Sequence, residues 1–188
     1  MLFRSMTSSL AARLARMERR RASLLVELAA LGPDQLTFRP GPESWSPRDV
    51  LEHLVLVEEA VQRYAGKRPG PQPRAATARA GLKLRIILLY FRLGARIEAP
   101  TRAVLPAGTG SLEDLRTRWD QARQGLATLL EGETAADRRR PLLRHPVTGW
   151  LTPAQSLTFI EAHIAHHRRQ IGRIRALPGF PPAPLPPR

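Results

Sequence analysis

The sequence predicts an all-α protein: a four-helix bundle with one additional apolar helix inserted between the second and third bundle helices. Three observations lead there. Apolar residues recur at three- and four-residue spacing over long stretches. Those stretches begin and end at capping residues, glycines and prolines. Strong strand signals are missing. The 188 residues, 43% hydrophobic and 24% charged, suit one packed domain with a tail, which we place at 1–177 and 178–188.

The first helix is expected from Ser8 or Ser9 to about Ala30, because Leu10, Leu14, Met17, Leu24, Leu25 and Leu28 form one stripe. Gly32 and Pro33 stop it. Residues 33–46, with Pro33, Pro40, Gly41 and Pro42, read as a connector without regular helix. Ser46-Pro47-Arg48-Asp49 opens the second helix: serine caps, proline fits the first helical position, and the carboxylate sits in the positive first turn. Val50, Leu54, Val57 and Val61 are its apolar set, and it fades near Gly66. Residues 66–80 read as a loop and 82–97 as the inserted helix, followed by a Pro/Gly loop around 100–110. Ser111-Leu112-Glu113-Asp114 resembles a capping box and opens the third bundle helix, which runs to about Leu130 and ends at Gly132. A loop from Arg138 to Trp150 leads to Thr152-Pro153-Ala154-Gln155, a second capping box, and to the last helix, ending near Ala176. The tail from Pro178 to Arg188 holds six prolines and is expected as polyproline II or disorder.

Composition narrows the chemistry. Cysteine is absent, which excludes a disulfide framework, a thiolate-ligated zinc and a thiol nucleophile of the chain's own. Any metal must be held by histidine and carboxylate. The net charge of +14 points toward nucleic acid or an anionic membrane. Yet 28 of the 30 basic residues are arginine and asparagine is absent, a bias that GC-rich coding produces by itself. The Arg13, Arg16 and Arg20 stripe reads as a solvated face. The segment 82–97 mixes apolar residues with Lys83, Arg85, Arg92 and Arg96, as a membrane-surface helix would, or as a plug or dimer contact would. Its longest apolar run, Ile86 to Phe91, is too short to span a bilayer, and the first residues lack a secretory apolar core, so a cytoplasmic protein is expected.

The five histidines carry the functional signal. On the last helix Ile160, His163, His167, Ile171 and Ile174 share one face, so two imidazoles point where the isoleucines do. His53 lies similarly among Val50, Leu54 and Val57. Buried imidazoles need partners, and one divalent metal, zinc or nickel, would satisfy all three while leaving a position open for water or substrate. The bland reading stays open beside it: a His-x-x-x-His pair also occurs incidentally, and a single buried histidine can donate to a backbone carbonyl. His166 projects off the shared face beside Arg169 and Arg173 and reads as solvated. His145, in the loop, is either a pocket-rim acid/base or a turn residue. Glu58 and Glu59 read as exposed. Trp45, Trp119 and Trp150 are packing anchors or pocket walls.

Trp45-Ser46-Pro47 with Val50-Leu51-Glu52-His53-Leu54 resembles the "WS…vl.HL" segment of the DinB/YfiT-like family. His163 to Gln170 is similar to that family's closing "H..HHRGQ" helix, and His145 to Thr152 resembles the "HP..G.LT" lead-in of one branch. The resemblance implies a four-helix bundle whose three histidines hold a divalent metal, which by position are His53, His163 and His167. The sequence departs from the family at Arg169, where glycine is frequent, and in the segment 66–110. Gln170 matches the family glutamine, and Asp49, one turn before His53, is a candidate acceptor for its free ring N–H alongside a plain capping role. The activity the resemblance implies is metal-dependent: a low-molecular-weight-thiol S-transferase, or otherwise a hydrolase, acting on a small-molecule substrate. The alternative is a basic non-catalytic module binding nucleic acid or an anionic membrane surface. A homodimer is a further expectation.

Overall fold

The computed structural model describes residues 8–67, 76–95, 98–99, 101–131 and 140–183. Four long helices form the bundle: α1 (Ser8–Ala29), α3 (Pro47–Lys67), α5 (Leu112–Glu131) and α6 (Pro153–Arg175), with the short α2 (Pro33–Thr37) and the inserted α4 (Ala78–Leu93) besides. Each long helix buries most of the stripe its sequence announces, Leu25 and Val57 being only half-buried. Leu10, Leu14, Met17, Leu24 and Leu28 of α1, Val50, Leu54 and Val61 of α3, and Ile160, Ile164, Ile171 and Ile174 of α6 meet in one core with Leu115, Trp119 and Leu126 of α5. Neighbours around the bundle are α1 with α6, α6 with α3, α3 with α5 and α5 with α1. Among the described residues no helix is long and apolar enough to cross a membrane.

The connector 33–46 departs from expectation by holding α2. A proline that ends one helix suits the first position of the next, and the Gln35 side chain accepts the Gly32 N–H at 3.0 Å to cap it. The loop before α6 contains an antiparallel hairpin, β1 (Leu143–His145) with β2 (Gly149–Leu151), in the register Leu143↔Leu151 and His145↔Gly149. Gly149, at φ 86°, supplies the left-handed residue that its turn needs. The inserted helix begins earlier than the apolar run suggests, because the Thr77 side chain accepts from Ala80 N–H as its cap; Gly94, at φ 71°, ends it. The start of the Pro-rich tail lies on α2: Phe180 meets Phe38 edge-on at 5.4 Å, and Gln35 donates to the Pro181 carbonyl at 2.8 Å. The expected stop at Gly132, Arg138 and Arg139, positions 68–75 of the expected loop, and residues 184–188 lie outside the described residues.

Two carboxylates are less solvated than their positions suggest, while Arg16 and Arg20 of the cationic stripe are exposed as expected. Glu58 is buried, not exposed, and takes a two-pronged ion pair from Arg123 of α5 at 2.9 and 2.6 Å. Glu59, half-buried, pairs with Arg118 at 2.8 and 2.9 Å. Along α1, Arg13 donates to the Thr158 hydroxyl at 2.7 Å and Arg20 pairs with Glu161 at 3.1 Å, so part of the stripe is tied to α6.

Candidate metal centre

His163 and His167 stand one turn apart on α6, and His53 faces them from α3. The Nε2 atoms converge: 3.3 Å separates His53 from His163, and 2.9 Å separates His167 from His163. All three side chains are buried, and one ring nitrogen from each lies within 4.8 Å of the others. Four-coordinate zinc holds nitrogens at about 2.0–2.1 Å, which sets neighbouring ligand atoms about 3.3 Å apart.

The outer ring nitrogens decide what points inward. His53 donates its Nδ1 proton to the Val104 carbonyl at 2.7 Å, and His167 donates its Nδ1 proton to Gln170 Oε1, also at 2.7 Å. Both neutral rings therefore present an Nε2 lone pair toward His163. His163 has one Nε2 proton at most and can satisfy only one of them. A divalent cation accepts all three lone pairs at once, so the donor set fits a metal.

Burial pushes the pKa of His53 below its ordinary value, against a partly compensating bond to Val104. His163 and His167 are driven well below it, first by burial and then by their neighbours' charge. All three are neutral near pH 7, as ligands must be. Asp49, the other candidate partner of His53, is occupied elsewhere. It accepts the Ser46 N–H at 2.8 Å, pairs with Arg39 at 2.9 Å, and closes the cap of α3, so the His53 proton goes to Val104 instead. Glu52, beside His53, is buried and accepts the Gly108 N–H at 2.7 Å, which ties down the loop before α5.

His166 is buried rather than solvated, because the inserted helix covers it. Its ring stacks on Phe91 of α4 at 4.8 Å, with Nδ1 3.4 Å from the Phe91 carbonyl. The same carbonyl accepts from Arg169 Nη2 at 2.6 Å. Arg169 thus ties α6 to the end of the inserted helix. Arg169→Ala is expected to speed amide exchange in α4 about tenfold, the worth of one partly exposed charged hydrogen bond, without changing exchange in α3 or α5. Hydrogen-exchange mass spectrometry checks this; unchanged α4 protection would refute it.

A cavity of about 750 Å³ opens on the triad, lined by α3, α4, the hairpin and α6. Trp45 lines it and packs on His53 at 4.8 Å, while Trp119 is wholly in the core and Trp150 lies against Tyr64 at 6.0 Å. His145 is a turn residue that also faces the cavity. Its Nδ1 accepts the Val147 and Thr148 N–H groups, both at 3.2 Å, and it also lines the cavity, its ring 4.5 Å from Phe159. Two incoming N–H donors place its own proton on Nε2.

Burial lowers the His145 pKa to about 4, and the two N–H donors oppose protonation in the same direction. A histidine depressed on folding stabilises the fold above its unfolded value near 6.5, and this stability is lost as pH falls toward 4. The loss should be on the order of 3 kcal/mol. In His145→Asn the side-chain oxygen can keep an acceptor where Nδ1 stands, without the titration. Urea midpoints between pH 7 and 4 should therefore fall less steeply in the variant than in the wild type; equal slopes would contradict this.

The comparisons agree with the geometry. The uncharacterized protein YuaE of Bacillus subtilis (strain 168) is 27% identical over 149 residues, spanning 79% of this chain and 88% of its own. No solved structure matches the chain. The family model described as the DinB superfamily matches residues 16–171, which take in α3, the inserted helix, the hairpin and all three converging histidines, and the chain belongs to that superfamily.

Proposed function

We propose that the protein is a metal-dependent enzyme that joins a small thiol to an electrophilic substrate or, failing a thiol, hydrolyses that substrate. The observation that carries this reading is the convergence of three Nε2 atoms on one point at the floor of an open cavity. His53, His163 and His167 are the residues that would hold the metal. A divalent cation there would supply a Lewis acid that lowers the pKa of a thiol or of water.

The chain's own residues supply positioning and exclusion. Val104 and Gln170 fix the tautomers of His53 and His167, so their lone pairs face inward before any ligand arrives. Phe91 and Phe159 flank His163 with ring centroids at 5.5 Å each, keeping one side of the site dry. His145 can hold a proton at Nε2 on the cavity wall. The nucleophilic thiol must come from outside, because the chain has no cysteine.

The test starts from protein stripped with a chelator and titrated with Zn²⁺ and Ni²⁺. Uptake of one ion per chain is expected, followed by metal-dependent consumption of a small thiol in the presence of an alkylating electrophile. Electrophile loss without thiol identifies the hydrolase arm. Failure to take up either metal overturns the proposal.

A further inference from the structure

The cavity above the triad is built for a particular kind of molecule. Its walls are hydrocarbon and aromatic: Val57 and Val61 from α3, Ile87 and Phe91 from α4, Leu143 from the hairpin, Phe159 from α6. Among the described lining residues the ions are Lys83, Glu98 and Arg144, and of these Glu98 and Arg144 are solvent-exposed. The Lys83 ammonium is 3.3 Å from the Val147 carbonyl, bridging α4 to the hairpin turn. Fixed charge thus stands at the rim, and the imidazoles supply polarity at the floor. Lining residues that remain open to solvent, Ile86 at 46%, Val147 at 49% and Tyr90 at 50%, are apolar or amphipathic and mark the mouth.

We infer that this chamber binds an apolar small molecule, an aliphatic chain or fused-ring body, with its one polar, reactive end directed to the histidines. A charged or strongly polar body would lose its hydration between α3 and α4, where the described lining offers few polar partners beyond Lys83, Tyr64 and Thr101. An apolar body loses nothing there and covers the exposed rim of Ile86, Tyr90 and Val147. About 750 Å³ is far more than water or a two-carbon electrophile requires and lies within the range of sites that enclose drug-sized ligands. As an assignment of substrate class this rests on the reading of the triad as a reaction centre; as a binding site it is measurable without that reading.

The probe is N-phenyl-1-naphthylamine, a neutral apolar fluorophore that the chain's positive charge does not recruit. Titration should show saturable binding of one probe per chain, equal in chelator-stripped and metal-loaded protein. Straight-chain alcohols should displace it with affinity rising about fourfold per added methylene until the chamber is full. Ala60→Trp, which fills the chamber from α3, should weaken the probe at least tenfold while metal content stays that of the wild type. Should Ala60→Trp fail to fold, the exposed rim variant Ile86→Asp replaces it with the same expectation. Leu82→Asp, exposed on α4 and outside the chamber, should leave binding unchanged. Absent saturable binding, binding that the folded chamber variant leaves unchanged, or binding lost in Leu82→Asp overturns the inference. Probe binding in a protein that takes up no metal would uphold the chamber and refute only the metal reading.

Discussion

Replacing His163 by alanine is expected to lower the affinity for zinc or nickel by more than about 100-fold, beyond what loss of an outer hydrogen-bond partner costs a metal site. His163 is the member both others approach, at 3.3 and 2.9 Å, so its removal leaves His53 and His167 as two ligands without their common neighbour. The stability signature is as informative as the metal content. In chelator, wild-type protein buries more lone pairs than its protons can satisfy, so His163→Ala removes a burden along with a side chain, and its melting temperature should lie close to that of the wild type. Added metal binds the folded state, and at 100 times the dissociation constant that contributes about 2.7 kcal/mol. The wild type should therefore gain several degrees on metal addition and His163→Ala almost none. His166→Ala is the control. That ring lies next to His167 in sequence, but its hydrogen-bond partner among the described residues is the Phe91 carbonyl at 3.4 Å, away from the point where the three Nε2 atoms meet, so its loss should leave metal content unchanged. Equal metal content in wild type and His163→Ala would refute the site.

The contrast between His166 and His167 shows what a sequence can and cannot reveal here. His163 and His167 are four residues apart on a helix whose isoleucines mark the inward face, so their direction follows from helical period alone. His53 follows in the same way from Val50, Leu54 and Val57, though not its distance from the others. His166 points about 100° away from His167 around the axis, toward what would be solvent in a bare four-helix bundle. It is buried because α4, about 75 positions earlier, packs over it, and period carries no record of that. The capping boxes of α5 and α6 were readable because cap and partner are three residues apart. The hairpin was not, since three residues per strand are too few to display alternation. The chamber is least local of all: its walls come from α3, α4, the hairpin and α6, and its volume belongs to none of them.

Glu58→Ala should destabilise the fold as much as truncating a large core side chain does. Glu58 and Arg123 are 3% and 6% exposed, and two charged hydrogen bonds join them across the α3–α5 seam. Removing the carboxylate strands a guanidinium whose remaining acidic neighbour, Glu18, is 3.7 Å away. A loss of about 3–5 kcal/mol is expected, a large share of an ordinary domain's total stability. The pair is not, for that reason, a strong net stabiliser. Arg123 Nη1 has no hydrogen-bond acceptor among the described residues, so desolvation of the ion is incompletely offset even in the wild type. Replacing both partners by apolar side chains, Glu58→Leu with Arg123→Met, should therefore cost much less than Glu58→Ala alone. Urea unfolding of the wild type, both single variants and the double gives the coupling between the two positions. The cycle should show strong positive coupling, with the metal content of the double variant unchanged because α3 still presents His53. If the two single losses simply add, the charges do not act as a pair, and what holds α3 to α5 is the surrounding hydrocarbon of Leu54, Trp119 and Leu126 alone.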